Sequence, residues 1–159
     1  MWSFRIGGHH RNRIDMIEFL TEGVDMPDLD HEKIVEWVKA VATAHGKSTG
    51  DICYVFCSDE YIIETNRKFL QHDYYTDIIT FDYTCGNRIG GDMVISLDTV
   101  RSNAEGIGAP YGRELLRVVI HGVLHLCGIN DKGPGEREIM ERHEDEALAL
   151  YDKLFAAEA

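Results

Sequence analysis

The spacing of apolar residues changes period several times along the chain, and each change marks an element. Met16-Ile-Glu-Phe-Leu-Thr21 alternates as a first strand does. Asp28 and Asp30 offer N-caps for a helix from about Leu29 to Ala44, in which Ile34, Val35, Val38, Val41 and Ala42 share one face. Gly46 and Gly50 bracket the turn that follows. Ile52-Cys-Tyr-Val-Phe-Cys57 is almost wholly apolar or aromatic and reads as a strand buried on both faces. Ser58 caps a helix from Asp59 to about Leu70, and Gln71–Thr76 is a polar, aromatic connection. Asp77–Tyr83 resumes as a β-branched and aromatic strand, Cys85–Gly91 turns, and Asp92-Met-Val-Ile-Ser96 pairs back. A short helix from Leu97 to about Glu105 is broken by Gly106 and Gly108. Pro110 introduces a longer helix, Tyr111–Cys127. Gly133-Pro134 opens a last amphipathic helix, Glu136 to about Phe155, with Pro134 suited to the first helical position. The pattern predicts an α+β fold (α/β/α layers): one four-stranded mixed sheet, about five helices, and the Tyr111–Cys127 helix packed beside the sheet.

Residues 1–15 break this pattern. Gly7-Gly-His-His-Arg-Asn-Arg13 is polar and basic without apolar periodicity, so the expectation is a disordered arm before a single domain over 16–159. Met16 is an alternative start. His9 and His10 are expected to belong to that arm and not to a site. The chain of 159 residues suits one domain. No apolar run approaches the roughly 18 residues of a membrane span, and no signal-peptide pattern is present, so the expectation is cytoplasmic. The four cysteines, Cys53, Cys57, Cys85 and Cys127, form no C-x-x-C pair and are expected to be reduced and mostly buried. A formal net charge of −12 weighs against broad, non-specific nucleic-acid binding, while leaving room for a local basic groove.

The chemistry concentrates in His121-Gly-Val-Leu-His125-Leu-Cys-Gly128-Ile-Asn-Asp131. Histidines four apart on a helix lie on one face, one turn above the other, so their imidazoles can converge on one ion. Gly128 suits a left-handed cap that ends the helix, after which Asp131 can return towards the same point. Two imidazoles, a carboxylate and room for a water form the ligand set of an open catalytic zinc site. The spacing follows the zincin pattern H-E-x-x-H-x-x-G-x-x-H except at two positions. Asp131 stands for the third histidine, and Gly122 stands where zinc proteases carry the glutamate that activates water. A peptidase built this way lacks its general base. The metal-bound water is then the one catalytic group that the residues specify. Cys127 is expected on the far side of the helix. His143, among Glu141, Arg142, Glu144 and Asp145, is expected on a solvated face. His72 could line the cleft, although a surface position is its ordinary reading.

Three blocks resemble the YbeY family of bacterial ribosomal-RNA maturation endoribonucleases. His121-Gly-Val-Leu-His-Leu-Cys-Gly128 looks like its signature. Asn66-Arg-Lys-Phe-Leu70 with Asp73-Tyr-Tyr-Thr-Asp77-Ile-Ile-Thr-Phe81 resembles its N-x-x-[YF]-R…D-x-x-T-[DN]-V-L-S-F, and Gly91-Asp-Met-Val-Ile95 resembles its G-D-I-V-I strand. The resemblance covers roughly Met16 to Leu154. It implies one zinc per chain held by His121, His125 and Asp131, and a single-strand-specific endoribonuclease acting in late maturation of the 3′ end of small-subunit ribosomal RNA. Ribosomal RNA and the small ribosomal subunit are the partners it implies. The chain departs from the family in two places. Asn130 and Asp131 replace an aspartate and a histidine, and a carboxylate ligand offsets more of the ion's charge than an imidazole does. Leu70 replaces an arginine thought to face phosphate. Arg67 or Lys68, earlier on the same predicted helix, could substitute, and Arg67 is the candidate catalytic side chain. Local positive charge is expected from Arg67, Lys68, Arg88, Arg113 and Lys132. Two other classes stay open: a metallohydrolase of another substrate, peptidases included, and a ribosome-assembly factor with a structural metal.

Overall fold

The computed structural model describes residues 15–70 and 76–156; the arm with His9 and His10, and the connection with His72, lie outside them. Four strands, β1 (Ile17–Glu22), β2 (Ser48–Cys57), β3 (Ile78–Asp82) and β4 (Arg88–Ser96), form one sheet in the order β1-β2-β4-β3. β1, β2 and β4 run parallel, and β3 is the antiparallel edge. The helices are α1 (His31–Ala44), α2 (Asp59–Thr65), α3 (Leu97–Ile107), α4 (Tyr111–Leu126) and α5 (Glu136–Leu154), and a π-helical turn over Asn66–Leu70 extends α2. This is the mixed-sheet α+β architecture that the pattern predicts.

The alternation along β2 and β4 divides the interior into two cores. Tyr54, Phe56, Met93 and Ile95 join α1, α4 and α5 in the larger one, with Leu97 and Val100 of α3 at its side. Cys53, Val55, Cys57, Val94 and Ile79 face Ile62 of α2 in the smaller one. Both central strands are therefore covered on both faces, which is why their sequences lack polar alternation. Burial pushes the Cys57 thiol up to about 12, as expected of an inert packed cysteine. Only Cys85 among the four is exposed.

α4 is the most buried helix. Leu115, Leu116, Val118, Val119, Ile120, Val123, Leu124 and Leu126 all point into protein, and the Tyr54 hydroxyl donates to the Val119 carbonyl at 3.2 Å. Gly122 packs directly against the sheet. A Cβ there would overlap Met93 Sδ and lie 3.1 Å from Ile78 Cδ1. α5 is fixed across the molecule by Trp37, wholly buried, whose indole Nε1–H donates to the Ala147 carbonyl at 2.7 Å.

Several boundaries differ from the sequence reading for local reasons. Asp30 caps α1 by accepting from the Lys33 N–H, so the helix starts at His31 and Asp28 plays no part. Trp37 takes the buried place on its face that the pattern gave to Val35. Gly50 lies within β2, where the register shifts between Thr49 and Ile52. The turn before β4 closes by Arg88, since Cys85 and Arg88 exchange backbone hydrogen bonds. Gly106 stays helical and α3 ends at Gly108, whose φ of +70° makes the left-handed cap. Gly135, not Pro134, precedes the first residue of α5, and the Glu136 carboxylate accepts from the Gly133 N–H at 2.7 Å. The helix predicted to run to Leu70 is α-helical only to Thr65.

Candidate metal centre

α4 carries His121 and His125 one turn apart, and the segment after it brings Asp131 back to them. Gly128 makes the return possible: its φ of +98° is one that side chains disfavour. The Gly128 N–H donates to the His125 carbonyl at 2.9 Å, and the Ile129 N–H to that of Leu124 at 3.0 Å, closing the helix end. Asp131 Oδ2 then lies 3.3 Å from His121 Nε2 and 3.5 Å from His125 Nε2. One ligand atom from each residue lies within 4.8 Å of the others. The predicted triad is brought together.

Its chemistry fits a cation. Asp131 Oδ1 is buried with no hydrogen-bond partner among the described residues, an arrangement that an ion would relieve and that costs free energy otherwise. Two imidazole nitrogens and a carboxylate oxygen can hold a metal ion and leave a coordination position open.

Glu144 is the residue that sequence reasoning misplaced. It was expected on a solvated face of α5. It is instead 6% exposed, and its Oε2 lies 2.6 Å from His121 Nδ1. Arg117, one turn before His121, donates to Glu144 Oε1 at 2.9 Å and to Asp145 Oδ1 at 2.8 Å. The signal was present in the spacing: Met140, Glu144, Ala147 and Leu148 are the buried stripe of α5. A carboxylate on such a stripe needs a partner.

The electrostatics of the two histidines diverge. Burial pulls the His121 imidazolium down, but the hydrogen bond and charge of Glu144, with Asp131 and Asp77, more than offset it and hold the group above its ordinary value. Burial and the neighbouring His121 push His125 below, against the pull of Asp131. In metal-free protein an NMR titration should therefore show His121 protonating at higher pH than His125; the reverse order would contradict this geometry. The signs for stability follow. His121 contributes stability that is full below the unfolded value of about 6.5 and is lost as pH rises through its folded value. His125 contributes stability present above about 6.5 and lost as pH falls through its lowered value.

Beside His121 and Asp131 opens a cleft of about 980 Å³, walled by α3, α4 and α5, with Asp77 at its edge. Burial raises the Asp77 carboxyl above its usual range, and His121 opposes that shift. Among the described residues the arginines lining the cleft are Arg117 and Arg137, and Glu114, Glu141 and Asp145 also line it.

The other candidates fall elsewhere. Arg113 is held by Asp152 through two contacts of 2.8 Å, and Arg88 pairs with Asp15, so neither belongs to a free basic groove. Arg67 and Lys68 are exposed on the π-helical turn, and neither is among the residues lining the cleft. Lys132 is exposed next to Asp131. His143 packs its ring 5.2 Å from that of His45, with Nδ1 3.4 Å from Glu146, and takes no part in the triad. Cys127 packs against the larger core, outside the ligand group.

An α+β domain whose buried central helix turns two histidines towards a returning carboxylate belongs to the class of proteins built around a candidate metal centre. The family described as Endoribonuclease YbeY matches residues 17–152, and the chain belongs to that family. A relative of that description from Phocaeicola vulgatus is 66% identical over 135 residues, 85% of this chain and 98% of the relative. Another from Porphyromonas gingivalis is 46% identical over 142 residues, 89% of this chain and 94% of that one. A Thermotoga maritima protein of known solution structure shares the fold, with a TM-score of 0.61 at 23% identity over 90% of this chain and 93% of that one. No helix among the described residues is long and apolar enough to cross a membrane.

Proposed function

We propose that the chain is a zinc-dependent endoribonuclease that cuts single-stranded RNA in the cytoplasm during maturation of ribosomal RNA, at the 3′ end of the small-subunit RNA. The observation that carries this reading is the convergence of His121, His125 and Asp131 in a chain matched to an endoribonuclease family over residues 17–152. The three side chains would hold the ion. When bound, zinc supplies Lewis-acid polarisation of a phosphoryl oxygen and acidification of water.

The protein's own groups supply orientation and selection. Asp131 faces both imidazoles, and it lines the cleft together with His121. Arg137 is the arginine there suited to a phosphodiester; Arg117 is held by Glu144 and Asp145, and the carboxylates around them repel an anion. Affinity for free RNA should accordingly be modest and fall with salt, and the small ribosomal subunit is the partner that would present the strand. Gly122 argues against peptides. The position that bears the base in zinc proteases is pressed against Met93 here, and even a Cβ would overlap its sulfur.

Zinc-loaded protein should cleave an unstructured RNA oligonucleotide, spare the same sequence as a duplex, and leave a casein substrate intact. A His125→Ala variant should lose at least roughly 100-fold of that activity, in line with the loss of a group essential to the metal centre. Equal cleavage by variant and parent would assign the nuclease to a contaminant, and casein cleavage would revive the peptidase reading.

A further inference from the structure

The buried stripe of α5 contains one ionisable side chain. Met140, Ala147 and Leu148 fill their places with hydrocarbon, and Glu144 between them brings a carboxylate to 6% exposure. Removing a carboxylate from water is costly unless its oxygens are met by charge or hydrogen bonds. Both oxygens are met, by different elements of function. Oε1 accepts from Arg117 Nη1 at 2.9 Å, and Oε2 meets His121 Nδ1 at 2.6 Å. The other nitrogen of that ring, Nε2, points at Asp131 Oδ2, 3.3 Å away.

Resting on the reading that His121, His125 and Asp131 hold a metal, we propose that Glu144 is the positioning residue of the metal centre. It accepts the Nδ1–H of His121, so the neutral ring keeps its proton on Nδ1 and presents the Nε2 lone pair to the ion. An unassisted imidazole exchanges its proton between the two nitrogens and turns about χ2. A fixed carboxylate removes both freedoms and makes the ring a better donor. Arg117 meets the other oxygen: its guanidinium spans Glu144 and the exposed Asp145 without touching the histidine. In this role Glu144 acts through His121. An ordinary buried ion pair between Glu144 and Arg117 would need no histidine at the second oxygen.

The test uses Glu144→Gln, which keeps the volume and removes the charge, with Glu144→Leu as a second variant that completes the apolar stripe should the first fold poorly. Two readouts separate positioning from packing. In metal-free protein at a pH where the ring is neutral, nitrogen NMR should find His121 protonated on Nδ1 in the parent and mixed between nitrogens in the variants. By chelator competition, zinc affinity should fall roughly 10–100-fold in folded variants, while Arg117→Gln, which leaves the carboxylate on His121, changes it less than about threefold, well below that range. Variants with the parental tautomer and parental zinc affinity would overturn the proposal and leave Glu144 a packing ion pair. A parent that binds no zinc, or keeps it in His121→Ala, His125→Ala, overturns the reading beneath it. That failure is seen in the parent arm, before any Glu144 variant is compared.

Discussion

Gly122→Glu should leave no folded protein at ambient temperature. The substitution would place the water-activating base of a zinc protease at its usual position after the first histidine, so its failure is informative. A Cβ at 122 already overlaps Met93 Sδ, with Met93 Cγ at 3.2 Å and Ile78 Cδ1 at 3.1 Å. Overpacking of a well-filled interior costs about 1–3 kcal/mol, and a carboxylate buried without a partner adds several more. Together these approach the roughly 5–15 kcal/mol that holds an ordinary domain together. Gly122→Ala is the graded version. Alanine recovers about 1 kcal/mol of helix propensity, so the net loss should be about 1–2 kcal/mol, read from the denaturant midpoint by circular dichroism. Met93→Ala alone opens a cavity and should cost about 2–5 kcal/mol. Combined with Gly122→Ala, the two should fall short of additivity because each relieves the other. Full additivity would show that the helix and strand do not press on each other at this point.

The same contact shows what could and could not be read from the chain alone. The absence of a carboxylate at 122 is visible in the sequence and steers the chemistry away from peptides. The reason for the absence is visible only once β4 lies under α4, because Met93 is 29 positions away and no periodicity links the two. His121, His125 and Asp131 were legible because their geometry is local: a helical turn, then a left-handed glycine, then a short return. Glu144 was misread for the opposite reason. Glu141, Arg142 and Asp145 surround it in sequence and are exposed, and that local polarity outweighed its place on the stripe with Met140 and Leu148. The pairing of Arg113 and Arg88 was hidden similarly, because Asp152 and Asp15, the acids that engage them, are remote in sequence. Strand and helix identities survived because they follow from period, while boundaries moved wherever one capping contact, such as Asp30 to Lys33, decided them.

Removing Asp131 should act in opposite directions on metal-free and metal-loaded protein. Without an ion its Oδ1 is buried with no partner among the described residues, and such a group costs about 1–3 kcal/mol. Against that stands the attraction of Oδ2 to His121 and His125, at 3.3 and 3.5 Å, which is weak while the rings are neutral. Asp131→Ala should therefore leave the metal-free protein, at a pH above the raised His121 value, as stable as the parent, or slightly more so. Zinc affinity should meanwhile fall by more than the roughly 10–100-fold that an outer partner of a ligand is worth, and the thermal stabilisation given by added zinc should fall with it. A residue serving only to cap the turn after Gly128 would show the reverse, with lost stability and unchanged affinity. Asp131→His replaces the carboxylate with the imidazole of the related family pattern. It should retain zinc with one fewer negative charge facing the ion, so any RNA cleavage should reach half its plateau at a lower pH than in the parent. Calorimetric melts with and without zinc, across the two variants, decide between a ligand and a turn.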